Sequence, residues 1–195
     1  MNRFLLLLTI IVTSLNSCKK DSNPISNAPN DQTIELLPLK IGNNWTMQRT
    51  LYSPPGTFWR VDTMTFIVRS DTVLDNQTWY LTTEGALRNG TDGLYAYNLG
   101  PLLVFKYPSI PNDTFSIQGN TITVISTNEP KKVGPNLLLC YHYSESILSS
   151  NDILLQYYFA PGIGWVHLEE AVGGGTPTEN CELTATYDLI DYHLK

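Results

Sequence analysis

Ile153-Leu154-Leu155-Gln156-Tyr157-Tyr158-Phe159, then Ala160-Pro161-Gly162, then Ile163 to Val172, is the stretch that decides the fold. Two runs rich in aromatic and aliphatic residues flank a turn, and this composition reads as paired strands. Pro161 pre-sets φ, and Gly162 takes a turn conformation barred to other residues. The stretch is a hairpin, and hairpin signals recur in both directions from it.

Upstream, Trp45 to Tyr52 puts Trp45, Met47 and Leu51 on one face by period-two alternation. Phe58 to Val73 does the same with Met64, Phe66 and Val68, and Asp75-Asn76 turns the chain into Gln77 to Thr83. Asn89-Gly90 predicts a two-residue type I′ hairpin, and Gly119-Asn120 a second two-residue turn. Lys131-Lys132-Val133 reads as a short charged edge strand. Leu137 to Glu145 alternates Leu137, Leu139, Tyr141 and Tyr143 against Leu138, Cys140 and His142. Ser144, Ser146, Ser149 and Ser150 read as a polar connection, and Glu182 to Leu194 as a final strand or strand pair. Pro108 and Pro111 break one ladder, and no window after the first residues carries a period of 3.6. Ten to twelve short strands joined by tight turns predict an all-β fold: a single domain of antiparallel meander strands.

The amino terminus is different in kind. Met1-Asn2-Arg3, an apolar run from Phe4 to Val12, and Thr13 to Ser17 read as a secretory signal, too short to span a bilayer of about 30 Å. The expected organisation is a signal peptide over 1–17, a polar tether over 18–35 and an all-β domain over 36–195. As a flexible chain the tether reaches about 20–25 Å.

Leu15-Asn16-Ser17-Cys18 resembles the lipobox of bacterial lipoproteins, and Cys18-Lys19-Lys20-Asp21 resembles the start of many Bacteroidota lipoproteins. The resemblance implies lipidation of Cys18, palmitate included. It implies an outer-membrane location on the periplasmic side or at the cell surface. Pro38-Leu39-Lys40-Ile41-Gly42-Asn43-Asn44-Trp45 and Tyr158-Phe159-Ala160-Pro161-Gly162-Ile163-Gly164-Trp165-Val166 resemble two signature stretches of uncharacterised Bacteroidota lipoproteins. In those the second usually reads YFAPGVGLVK, from which Trp165 and His167 depart. This implies a curved sheet or open barrel, similar to the bacterial lipoprotein carriers, and brings no catalytic residues with it.

Composition narrows the partners. The 195 residues carry a net charge of −6, and an acidic chain repels phosphate backbones, so no nucleic-acid partner is expected. Charged residues are only 15% and apolar residues 42%, which suits a packed core. With Cys18 lipidated, Cys140 and Cys181 either close one disulfide or remain two free thiols.

His142 with Cys140, and His167 with Glu169, each sit two apart on a strand face. No third ligand is fixed by spacing, so no metal and no cofactor are expected. Neither a G-x-S-x-G elbow nor a phosphate cradle is present, and no catalytic residue is assigned. Asp62-Thr63-Met64 and Asp71-Thr72-Val73 resemble the O-glycosylation sequon of Bacteroidota exported proteins, on Thr63 and Thr72. The expected role is non-catalytic: an apolar concave face sheltering a hydrophobic ligand or a protein partner's segment. One alternative is a glycan-binding accessory lipoprotein stacking sugars on Trp45, Trp59, Trp79 and Trp165, and this requires at least two exposed, coplanar indoles. The other is a glycoside hydrolase with two carboxylates about 5–10 Å apart in one cleft.

Overall fold

The computed structural model describes residues 34–53, 57–147, 153–173 and 181–195. Cys18, the signal segment, nearly all of the tether, Ser149 and Ser150 lie outside the described residues.

Twelve strands account for most of these residues: β1 (Asn44–Ser53), β2 (Thr57–Leu74), β3 (Gln77–Thr82), β4 (Gly85–Asn89), β5 (Gly93–Tyr97), β6 (Pro101–Lys106), β7 (Thr114–Ile117), β8 (Asn120–Val133), β9 (Asn136–Ile147), β10 (Ile153–Ala160), β11 (Gly164–Val172) and β12 (Glu182–His193). Every pairing is antiparallel, and the order is β6-β5-β4-β3-β2-β1-β12-β11-β10-β9-β8-β7. The chain makes two meanders of six strands. They are zipped where the first strand pairs with the last, from Asn44↔His193 to Leu51↔Ala185. At the other seam β6 and β7 approach without a ladder, leaving a barrel-like sheet nearly closed. Near closure hides most of the strand edges that would otherwise pair with other chains.

Side chains bridge the open seam. Tyr143 Oη donates to the carbonyl of Lys106 at 2.8 Å, and Lys106 pairs with Asp113 at 2.8 Å. Phe105 packs against Tyr157 and Phe159 with ring centroids 5.0 and 4.6 Å away. The alternation read for β1 and β2 holds, with Trp45, Met47, Phe66 and Val68 buried.

The segment before β1 crosses one end of the barrel. Leu36, Leu37 and Leu39 are buried, and the amide of Gly162 donates to the Glu35 carbonyl at 2.7 Å. Buried Asn43 ties this segment to Lys195. Its Nδ2 donates to the Pro38 carbonyl at 2.9 Å, and its Oδ1 accepts from the Lys195 amide at 2.8 Å.

Turn chemistry locates the hairpins to within a residue or two. Asp75 and Asn76 carry φ of 50° and 58° and form a two-residue turn, as a type I′ turn requires. Pro161 and Gly162, with φ of 79° at the glycine and a 3.0 Å bond from the Ile163 amide to the Ala160 carbonyl, form the predicted turn. The second predicted turn slides by one residue, to Gln118-Gly119. The Asn89-Gly90 turn slides by two: Gly90 pairs back to Gly93 at 2.7 Å, and neither Asn89 nor Gly90 has positive φ. The cause is tertiary, since Asn89 Nδ2 is drawn to the Leu37 carbonyl at 2.8 Å.

Three sequence readings need correction. Lys131-Lys132-Val133 is not a separate strand but the end of β8. Ser144 and Ser146 lie inside β9, where Ser144 Oγ accepts from Gln156 Nε2 at 3.0 Å. Leu137 and Leu139, read onto one face with Tyr143, do not share its environment: they are 70% and 61% exposed, while Tyr143 and Cys140 are both fully buried. Register breaks after Val124 and after Ser126 bend the β8–β9 hairpin, and its far half lies against the outer wall. There Lys131 Nζ sits 3.8 Å from the Tyr158 ring centroid and 3.8 Å from Glu169 Oε1.

Beneath this wing, His167 is held between Asp188 at 2.7 Å and Glu169 at 2.8 Å. Burial alone would lower its pKa, but the hydrogen bonds to Asp188 and Glu169, helped by the charge of Asp188, hold it above the ordinary imidazole value. A raised folded-state pKa contributes stability that is present below the unfolded value and lost as pH rises through the folded one. Urea midpoints are therefore expected to fall between pH 5.5 and pH 8.5, and His167→Gln should fall less. An equal fall in both would remove His167 as the cause.

Candidate functional site

Inward-facing side chains from both meanders enclose a cavity of about 110 Å³. Trp45 and Phe66 form one wall, Leu87, Leu94 and Ala96 another, and Val104, Phe105, Ile117 and Ile122 flank the unzipped seam. Tyr157, Phe159 and Trp165 complete the ring, and Leu37 reaches in from the crossing segment. Phe159 faces inward with Tyr157 by period-two alternation, and the register break between Tyr158 and Phe159, which leaves Val166 unpaired, brings Trp165 opposite Phe159 to the same face. Gly164 allows this closeness, because a Cβ there would lie 2.6 Å from Leu37 Cδ1 and 3.1 Å from Trp45 Nε1.

Two acidic residues, Glu145 and Glu84, stand among those around the cavity, whose exposed surface is almost wholly apolar. Glu145 is 1% exposed and fully engaged: Oε1 accepts from Asn120 Nδ2 at 3.0 Å and Oε2 from Tyr157 Oη at 2.8 Å. Burial, and then the charge and hydrogen bond of Glu145, push the Tyr157 phenol well up. Glu84 stands at the β3–β4 turn, and burial raises its carboxyl pKa. It has no side-chain hydrogen bond or ion pair among the described residues.

Sequence reasoning named some of these residues and missed others. Trp45 and Trp165 line the cavity, and Trp79 is buried elsewhere, edge-on to Tyr97 at 5.1 Å. Trp59 alone of the four is exposed, at 66%, so they share no stacking face. The burial that puts Trp45 and Trp165 in the wall is what denies them to a sugar surface. Cys140 and Cys181 are both free thiols, with Cys140 Sγ directed to the Leu138 carbonyl and Cys181 Sγ to that of Gly173. Burial pushes the Cys140 thiol up to about 11. His142 meets Gln156 Oε1 at 2.5 Å, and no group of three or more His, Cys, Asp or Glu among the described residues could hold a metal. Thr63 is exposed and Thr72 half-buried.

Glu145 was legible in principle, since it follows Tyr141 and Tyr143 at period two on one face. Glu84 gave no signal, because only tertiary packing brings its turn to the cavity.

No protein-family model and no curated protein matches the chain. A crystal structure from Bacteroides fragilis NCTC 9343, described as a "putative exported protein with YmcC-like fold", aligns with a TM-score of 0.51 at 12% identity. The match covers 81% of this chain and 98% of that one. Another, described as a "putative lipoprotein" from Parabacteroides distasonis ATCC 8503, aligns with a TM-score of 0.41 at 13% identity, over 82% of this chain and 99% of that one. The first shows a shared fold. At such identity neither speaks to a ligand.

Proposed function

We propose that this protein is a lipid-anchored component of the bacterial outer membrane that holds a hydrophobic ligand inside its barrel and performs no chemistry on it. The cavity carries the reading: an almost wholly apolar, partly open interior in a domain otherwise packed to close the same space. Apolar cavities of about 150 Å³ stay dry and take up molecules such as benzene, so a space of this order suits a small apolar body or part of a chain. Glu145 is already committed to Asn120 and Tyr157, which favours a structural role over a catalytic one. The anchor rests on Leu15-Asn16-Ser17-Cys18. Acyl chains contribute about 0.8 kcal/mol per buried CH₂, so several together give stable attachment.

The two parts are tested separately. Metabolic labelling with palmitate should mark the wild type, be blocked by globomycin and disappear in Cys18→Ala; an unlabelled wild type rejects the anchor. For the cavity, the full chain in phosphatidylcholine nanodiscs is photolysed with an eight-carbon alcohol bearing a diazirine. Peptides carrying Phe105 and Trp165 should be labelled, and unlabelled octanol should compete. Labelling that no competitor reduces would reject the binding site.

A further inference from the structure

We propose that the outer edge of β2 pairs with the same edge of a second copy of this chain, antiparallel about a two-fold axis at Val61. β2 is 18 residues long, yet β3 pairs only with its end, from Val68 to Leu74. From Phe58 to Met64 it has β1 on one side and, among the described residues, no ladder on the other. Ile67 shows which backbone groups face that side. Its carbonyl accepts from the Thr83 amide at 3.1 Å, and its amide donates to Thr83 Oγ1 at 3.2 Å. The ladder with β1 runs without a break from Ile67 to Arg60, so the amides and carbonyls of Thr63 and Val61 point the same way.

Other open edges are short or blunted. β6 has 6 residues and β7 has 4, and the edge of β8 beyond β7 carries Pro130, Lys131 and Lys132. β2 holds neither proline nor lysine, and Phe58, Trp59 and Val61 stand exposed along its open part. Such an edge is a template for another strand. The residue order selects a second copy. Turned about Val61, the segment complements itself: Arg60 meets Asp62, Trp59 meets Thr63 and Phe58 meets Met64. Moving the axis one residue either way sets Arg60 against Arg60 or Asp62 against Asp62, and like charges directly opposite destabilise a ladder. Arg49 fixes Asp62 in its own chain. Arg60 lies 3.2 Å from that carboxylate and is 60% exposed, so it can reach the Asp62 across the axis as well.

Single cysteines in the full chain, reconstituted in phosphatidylcholine vesicles under a mild oxidant, test the pairing and its register. Cα atoms of a hydrogen-bonded antiparallel pair lie about 5.5 Å apart, within disulfide reach. Val61→Cys should form a linked dimer. Trp59→Cys and Thr63→Cys should link when mixed and not alone. Val73→Cys, exposed near the other end of β2, reports random collision, and Val61→Cys should exceed it at least about tenfold. Adding Arg60→Glu to Val61→Cys sets two carboxylates opposite and should cut the yield about tenfold. The proposal is overturned if Val61→Cys links no better than Val73→Cys, if Arg60→Glu leaves its yield unchanged, or if the mixture links no more than its parts.

Discussion

Trp45→Ala is expected to destabilise the domain by about 3–5 kcal/mol. The indole is fully buried, its Nε1 donates to the Ile163 carbonyl at 2.6 Å, and its ring lies 5.2 Å from that of Phe66. Truncation removes the largest apolar group at the junction of β1 with the β10–β11 turn and strands a carbonyl. It also enlarges a cavity that already exists there, so the neighbours have little with which to collapse. Urea unfolding measures the loss. Trp45→Phe should restore part of it through area alone, without the bond to Ile163. A cost below about 1 kcal/mol for the alanine variant would mean that this wall is not packed as described.

Gly93→Ala is the second large effect, about 2–4 kcal/mol, and its cause is backbone rather than core. Gly93 has φ of 153°, and a Cβ there would lie 2.1 Å from the Phe105 carbonyl oxygen and 3.0 Å from Lys106 Cα. These are main-chain atoms of β6, so relief requires moving the strand that carries Phe105 across the open seam. Gly119→Ala is the control. Its φ of 91° is also unfavourable for alanine, but nothing lies within 4 Å of the added carbon, so only the local strain of about 1–2 kcal/mol remains. Equal costs at the two glycines would deny the close approach of β5 and β6. Labelling of the cavity by the alcohol probe should fall in Gly93→Ala and persist in Gly119→Ala.

Local chemistry alone made the strands readable. β-branched and aromatic runs with a period of two mark strands, and Pro161-Gly162 and Asp75-Asn76 constrain φ wherever they stand. These signals act over two to five residues, which is why they survive reading in one dimension. They gave ten to twelve strands and grouped the residues that share a face in β1 and β2. Other features are settled at a distance. β1 pairs with β12 because closure removes two edges at once. The Asn89-Gly90 turn shifts because Leu37 offers its side chain an acceptor. Leu137 and Leu139 face solvent because breaks in β8 swing the wing outward. The candidate site belongs wholly to this second class. Trp45, Phe105, Glu84, Glu145 and Trp165 are scattered over the chain, and a cavity is a property of the space between strands. The sequence determined which residues must be strands and where the chain can turn. Only the nearly closed sheet decided which aromatics form the cavity wall, because burial depends on neighbours that lie far apart in the chain.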